Sequence, residues 1–352
     1  MMKSENQPSS SPLILELDHV QKDFSTEKKE KLRAVYDVSL KLYAGECLAI
    51  VGESGCGKTT LARMIAGIEP VTRGSIRFQG KDITHLSKQE RREVRQQMQL
   101  VFQNPASAFS PRMKIGQFMK EPLLNYHLTD RKHAHQEAVR LLEKVELDGS
   151  YMDQFPHQLS GGQLQRVVIA RALAVHPALL ICDEATSALD VSIQAQILRL
   201  LKKIQEEEHI GILFICHDLA LVQQFAQRMA VMYLGSIMEE MESRLLSQAV
   251  HPYTCALLHS VFSVHGSREK EIQVLEGEPP SPLKLHKGCP FAGRCPEQKP
   301  VCAERKPEPV SIGENHMVRC FMERKTILAD KKPTALPHQK AASCNNKEYL
   351  PL

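Results

Sequence analysis

The feature that most constrains this chain is a turn between two short segments. Cys47-Leu48-Ala49-Ile50-Val51 is apolar throughout. The run is too short for a helix and suits a parallel strand buried on both faces. It leads directly into Gly52-Glu53-Ser54-Gly55-Cys56-Gly57-Lys58-Thr59, the pattern G-x-x-x-x-G-K-T. Gly52, Gly55 and Gly57 let the backbone turn tightly and bring its N–H groups against anionic oxygens. A helix from about Lys58 to Ala66 would aim the positive end of its dipole at the same anion. Lys58 supplies a point charge for terminal phosphates, Thr59 a hydroxyl for Mg²⁺, and Thr60 a further hydroxyl. A glycine-rich turn could match by chance, but the strand before it and the helix after it are what phosphate binding requires.

A second strand ends in two acids. Ala178-Leu179-Leu180-Ile181-Cys182 is apolar and predicts a central strand. Asp183 and Glu184 follow at its C-terminal end, where ligands bind in open α/β sheets. Asp183 is placed to hold Mg²⁺ through water, and Glu184 to polarise an attacking water. Such a pair can merely cap the next segment; with the phosphate loop upstream, the catalytic reading is preferred. Between the two strands lies Leu159-Ser160-Gly161-Gly162-Gln163. A Ser and two Gly before a helix make a second anion site. One nucleotide needs only one such site, so the second makes sense facing a phosphate held by a partner chain.

With Gln165-Arg166-Val167 and Ala170-Arg171-Ala172, that segment is similar to the signature motif of the ATP-binding-cassette ATPases. The resemblance implies two cassettes that sandwich two ATP molecules head to tail. Gln103, after Leu100-Val101-Phe102, matches the Q-loop glutamine that contacts Mg²⁺ and the attacking water and couples to the membrane subunit. Ser187-Ala188-Leu189-Asp190 matches the D-loop at the dimer seam. His217, after the expected strand Ile212-Leu213-Phe214-Ile215-Cys216, matches the switch histidine that contacts the γ-phosphate. Phe24, following Leu17-Asp18-His19-Val20, matches the adenine-stacking aromatic, although a lone Phe at a strand end is commonly core. Ala185 stands where the family usually has Pro, which removes no reacting group. The implied site binds ATP through Phe24, the loop Gly52, Glu53, Ser54, Gly55, Cys56, Gly57, Lys58, Thr59 and Thr60, together with Gln103 and Asp183. Ser160, Gly161, Gly162 and Gln163 would serve the partner's nucleotide. Thr59, Gln103 and Asp183 would hold Mg²⁺, and Glu184 and His217 would be catalytic.

The chain has 352 residues, room for a large domain and a smaller appendage. Its formal net charge is +4, with acids and bases nearly balanced, so no bulk nucleic-acid signature is present. Arg91-Arg92-Glu93-Val94-Arg95 reads as a solvated helix face. No apolar run approaches the ~18 residues needed to cross a bilayer. The N-terminus is polar and lacks an apolar signal segment. The expected location is the cytoplasmic face of the cell membrane, peripheral and attached through partners. Ten cysteines in such a chain are not expected to form disulfides. Apart from His217, the fifteen histidines read as surface or satisfied core.

Four regions follow along the chain. Residues 1–12 read as a disordered tail, 13–250 as the cassette, 251–324 as a C-terminal extension, and 325–352 as a polar, flexible tail. Within the cassette, about 105–175 is the expected helical signature subdomain, its helix clearest at 134–147. His251-Pro252-Tyr253-Thr254, followed by Ala256-Leu257-Leu258, resembles the segment that opens the C-terminal region of oligopeptide, dipeptide and nickel importer ATPases. Gly277-Glu278-Pro279-Pro280-Ser281-Pro282, Asn104-Pro105 and Ser110-Pro111-Arg112 look like the same group. The resemblance covers residues 13 to about 322. It implies an α/β fold, a P-loop NTPase cassette whose mixed-sheet core carries an antiparallel β subdomain and a helical signature subdomain. It further implies ATP hydrolysis that powers import of oligopeptides or dipeptides. The implied partners are a second homologous ATPase subunit, two transmembrane permease subunits and an extracytoplasmic solute-binding protein, with no nucleic acid. Nickel, glutathione or a metallophore stand as alternative cargoes. A soluble cassette acting on ribosomes or DNA usually has two cassettes or a coiled-coil insertion, and neither is evident here.

The extension holds Cys289, Cys295, Cys302 and Cys320. Their spacing lacks the C-x₂-C knuckles of structural zinc sites. Four thiolates suit a [4Fe–4S] cluster or a distorted zinc site, and accidental clustering is the third reading. Relatives in the peptide-importer group carry a cluster at matching cysteines, so the resemblance implies [4Fe–4S]. Cys47, Cys56, Cys182 and Cys216 read as small buried fillers. Cys255 and Cys344 are assigned nothing. Because none of the four extension cysteines lies in 13–250, the ATP site is expected to survive their replacement, and a cluster is expected to act as a structural staple and not in electron transfer.

Overall fold

The short apolar runs assemble into the middle of one sheet. The structure is a computed structural model and describes residues 11–25, 31–187, 189–263, 277, 280–281 and 287–321. Most of the expected N-terminal tail, the whole tail 325–352, Ala188, Glu278, Pro279, Pro282 and Cys344 lie outside the described residues.

Two long strands open the described chain, β1 (Leu13–Ser25) and β2 (Lys31–Tyr43). Next come β3 (Cys47–Val51), α1 (Lys58–Ile65), β4 (Arg73–Phe78) and β5 (Lys81–Asp82). Strands β2-β1-β4-β5 form an antiparallel sheet, the expected antiparallel subdomain. Then α2 (Lys88–Gln97) starts on a Ser87–Glu90 capping box and buries no residue, as its charge run requires. After β6 (Met98–Val101) the helices α3 (Ile115–Asn125), α4 (Ala134–Lys144) and α5 (Gly161–Leu173) pack together. Helix α4 stops three residues short of the expected 147. Val145 caps it, Glu146 turns left-handed at φ 62, and the Leu147 N–H returns to the Leu142 carbonyl at 2.9 Å.

The remaining elements are β7 (Leu179–Asp183), α6 (Val191–Glu208), β8 (Gly211–Cys216), α7 (Leu219–Phe225), β9 (Arg228–Tyr233), β10 (Ser236–Glu242), α8 (Pro252–Ser263), α9 (Pro300–Glu304), β11 (Val310–Gly313) and β12 (His316–Val318). The large sheet has the order β11-β12-β10-β9-β3-β8-β7-β6. Strands β9, β3, β8, β7 and β6 are parallel, so the C-terminal ends of β3, β7 and β8 meet at one edge.

Alternation along these strands divides two cores. Cys47, Ala49, Val51, Leu180, Cys182, Ile212 and Phe214 face one cluster, which includes the helical subdomain and the Ile197–Ile204 face of α6. Leu48, Ile50, Leu179, Ile181, Leu213 and Ile215 face the other, shared with α1 and the antiparallel sheet. Ile50 is fully buried, and its truncation to Ala would cost about 2–5 kcal/mol.

The extension is built into this framework. Strand β12 pairs with β10, Glu239 opposite Val318 and Glu240 opposite Met317. Glu239 is 1 % exposed. Its carboxylate accepts from the N–H groups of Val250 (2.9 Å) and His251 (3.2 Å) and meets His316 Nε2 at 2.8 Å. Arg319 donates to Asp37 of β2 at 2.7 Å. The described chain passes 250/251 without leaving one compact body that ends at Phe321. No helix among the described residues is long and apolar enough to cross a membrane.

Candidate functional site

The loop after β3 is shaped by close backbone approach. Gly57 precedes α1 at φ 107, and a Cβ there would lie 2.2 Å from the Ala34 carbonyl oxygen. A Cβ on Gly52 would lie 2.1 Å from that of Met232. Only glycine fits either position. No side chain caps α1. Lys58 is 4 % exposed, and its ammonium donates to the carbonyls of Gly52 (2.8 Å) and Glu53 (2.9 Å). A cleft of about 420 Å³ runs past the loop, lined in part by Phe24, Lys58, Thr59, Thr60, Gln103 and Glu184. That volume lies in the range of small-molecule sites. Phe24 carries the Lys22 ammonium 4.7 Å from its ring centroid.

Strand β7 delivers both acids to this edge. The Thr59 hydroxyl donates to Asp183 Oδ1 at 3.0 Å. Burial pushes the Asp183 pKa up, Glu184 acts the same way, and the Thr59 hydrogen bond opposes them. A hydroxyl beside a desolvated carboxylate is a hard-oxygen pair of the kind Mg²⁺ takes, and a cation would offset the buried charge. Glu184 adopts a left-handed φ of 48, a conformation costing roughly 1–3 kcal/mol in a non-glycine residue. Its N–H donates to the Ile215 carbonyl at 3.0 Å, tying the end of β7 to β8. Gln103 Nε2 donates to Glu184 Oε2 at 2.7 Å and to the Ser187 hydroxyl at 3.3 Å.

The other expected residues stand apart. His217 follows β8, is exposed and does not line the cleft; Asp218 behind it caps α7. Ser160, Gly161, Gly162 and Gln163 open α5 and do not line the cleft either. Ser160 and Gln163 form a capping box, with the Gln163 N–H 3.3 Å from Ser160 Oγ and the Ser160 N–H 2.8 Å from Gln163 Oε1. Gly162 is pressed under α6, where a Cβ would lie 2.6 Å from Ile193 Cγ2. A substitution there would therefore disturb this chain's own packing as well as any partner. Cys47, Cys56, Cys182 and Cys216 are all buried.

Sequence reasoning missed two supports of the loop. The Tyr253 hydroxyl accepts from the Glu53 N–H at 2.9 Å. Arg294 forks onto the Glu53 carboxylate, Nη1 to Oε2 at 2.8 Å and Nη2 to Oε1 at 3.1 Å. The segment His251-Pro252-Tyr253-Thr254 gives Tyr253 no local sign of this contact, and nothing local in the sequence marks Arg294 as a partner of residue 53. Long-range packing thus brings the extension onto the phosphate loop.

The cysteines gather less far than expected. Burial pushes the Cys289 thiol up to about 11, and neighbouring Cys302, Cys320 and Cys295 act in the same direction. Four thiols suit soft-metal chemistry. Yet among the described residues no three His, Cys, Asp or Glu side chains stand together as a set that could hold a metal ion. The expected [4Fe–4S] site is therefore not formed by these side chains as they stand.

A strand–loop–helix with an uncapped helix N-terminus, a buried lysine and two acids at the end of β7, separated from β3 by β8 alone, defines a phosphate-loop nucleotide-binding protein of the α/β class. Residues 35–187 match the family described as ABC transporter, and residues 239–302 match the oligopeptide/dipeptide transporter C-terminal region. The chain is 42 % identical over 326 residues to the oligopeptide transport ATP-binding protein OppF of Haemophilus influenzae, covering 89 % of this chain and 98 % of that one. It is 43 % identical over 319 residues to the oligopeptide transport ATP-binding protein AppF of Bacillus subtilis, covering 88 % and 97 %. Among solved structures, the ATP-binding cassette MJ0796, in a dimeric post-hydrolysis state with ADP and Pi, superposes with TM-score 0.61 at 29 % identity, over 66 % of this chain and 99 % of that one. The chain belongs to the ABC transporter family of ATP-binding proteins.

Proposed function

We propose that this chain is the ATP-binding and ATP-hydrolysing subunit of an importer for oligopeptides or dipeptides. The observation that carries this reading is the union, in one body, of the nucleotide site at the ends of β3 and β7 with a C-terminal region matched by the oligopeptide/dipeptide transporter family. The names of the similar proteins, OppF and AppF, favour peptide cargo over nickel, glutathione or a metallophore. The working assembly contains a second ABC ATPase subunit placed head to tail, two permease subunits and an extracytoplasmic solute-binding protein. The chain sits peripherally on the cytoplasmic face of the membrane. Residues 13–250 act as the cassette and 251–324 as the importer-type extension.

In the reaction, Lys58 exchanges the carbonyls of Gly52 and Glu53 for terminal phosphate oxygens. Phe24 stacks on the adenine. Thr59, Gln103 and Asp183 would hold Mg²⁺, which offsets phosphate charge when bound. Glu184 polarises the attacking water, and Gln103, already on its carboxylate, orients it. His217 contacts the γ-phosphate. Ser160, Gly161, Gly162 and Gln163 face the γ-phosphate on the second subunit.

Reconstitution with the permease subunits and binding protein tests the reading. Labelled peptide should accumulate only with ATP, and Lys58→Ala should abolish uptake. Uptake of nickel, glutathione or a metallophore without any of peptide would contradict the cargo. A finer reading places a [4Fe–4S] cluster on Cys289, Cys295, Cys302 and Cys320, on the chemistry of four thiols in one short extension, and it requires these side chains to draw closer together than they stand. Anaerobically purified protein should then be brown and lose its iron in a Cys302→Ser variant. Less than about 0.2 iron per chain would remove the cluster.

A further inference from the structure

Glu53 poses a problem. It places a carboxylate within the loop whose other groups gather anionic oxygens, next to Ser54 at the cleft wall. A free negative charge there would oppose nucleotide phosphates. The extension addresses it at two points. Tyr253, fully buried, takes the Glu53 N–H. Arg294 takes both carboxylate oxygens with its planar fork, and only 7 % of its side chain is exposed.

Arg294 is itself held from behind. It ends a short turn, Ala292–Arg294, whose Arg294 N–H returns to the Phe291 carbonyl at 3.0 Å. Phe291 is 1 % exposed and stands 5.3 Å, centroid to centroid, from both Tyr233 and Tyr253. The Tyr233 hydroxyl lies 3.4 Å from Arg294 Nη1. Cys289 and Cys295 flank this turn, and the Cys289 N–H donates to the Cys302 carbonyl at 2.7 Å. The guanidinium is thus aimed at the loop by a packed platform and not by a free surface side chain.

We infer that Arg294 is a positioning residue for nucleotide binding: it neutralises and turns aside the Glu53 carboxylate, so that the C-terminal extension completes the phosphate loop. A buried ion pair of this kind contributes little net stability by itself. Its consequence lies in the charge the incoming phosphates meet. This inference rests on the nucleotide-binding reading above.

The test is ATP affinity of the full chain, titrated with a fluorescent ATP analogue, for wild type, Arg294→Ala, Arg294→Lys and Arg294→Ala/Glu53→Gln. Arg294→Ala should bind about tenfold more weakly at low salt, with the deficit shrinking between ~0.05 and ~0.5 M salt as the unpaired carboxylate is screened. Arg294→Lys should be intermediate, since it keeps charge without the fork. The double variant should recover to within about threefold of wild type, because the offending charge is gone. In the assembled complex, Arg294→Ala should raise KM for ATP and leave kcat within about twofold. Wild type that binds no ATP would sink the nucleotide reading itself. Wild-type binding with an unaffected Arg294→Ala would overturn the inference alone. A weakened Arg294→Ala that neither salt nor Glu53→Gln relieves would make the pair a fold staple and overturn it equally.

Discussion

Two helices in this chain begin at glycine-rich segments, and they begin differently. At α1 no side chain caps the first turn, Gly57 is left-handed, and a buried lysine waits on loop carbonyls. At α5 the Ser160 hydroxyl already accepts the Gln163 N–H, and Gln163 returns the bond. An uncapped terminus braced from outside is prepared to bind an anion within its own chain. A terminus that satisfies itself has less to gain from an anion until one is delivered in the right place. On the proposed function, the contrast separates a site that binds from a site that answers binding elsewhere, and it can be attacked from either side.

The largest effect should come from Glu184→Gln, which keeps the α1 terminus intact and removes the polarising carboxylate. ATP affinity should hold, while kcat of the assembled complex falls by about 10²–10⁴. Retention of more than about a third of the wild-type rate would take Glu184 out of the base role.

The brace behind α1 should depend on pH. Burial holds His251 down to about 4, and its Nδ1 accepts the Tyr253 N–H at 3.1 Å, so the ring is neutral. A base whose folded pKa is depressed gives its full stability above the unfolded value of 6.5 and loses it as pH falls toward about 4. The loss should reach ~3 kcal/mol across that window. Thermal melts of wild type and His251→Gln over this range check it. Parallel curves for the two proteins would mean that His251 does not titrate with unfolding.

A smaller and more selective effect is expected at α5. Ser160→Arg should leave ATP binding to the isolated chain unchanged and lower ATPase of the complex by about tenfold, since bulk is placed against the partner's γ-phosphate. Gly162 is a poorer probe, because Ile193 already occupies the space a side chain would need. Normal turnover by Ser160→Arg would mean that this terminus faces no essential nucleotide.

Much of the site was legible because its signals are local. The apolar runs of β3, β7 and β8, the glycine spacing, and the acids after β7 each lie within a few residues of the chemistry they support. What escaped depends on pairing over distance. Strands β11 and β12 are only four and three residues long and join the sheet through β10. Their periodicity is too short to read. Glu239 looks like a surface acid on an ordinary strand, and only the chain returning at Val250, His251 and His316 buries it. Arg294 meets Glu53 across 241 positions of sequence. The helix expected to 147 ended at Lys144 because a left-handed Glu146, invisible to apolar spacing, closes it.

The most direct measurement is amide hydrogen exchange with and without Mg-ATP, on the dilute isolated chain and on the assembled complex. Residues 52–60 should gain protection from ATP in both states, because that loop binds phosphate by itself. Residues 160–164 should gain protection only in the complex, when a second subunit brings its nucleotide to α5. Protection of 160–164 in the isolated chain, or its absence in the ATP-bound complex, would contradict the division between the two termini.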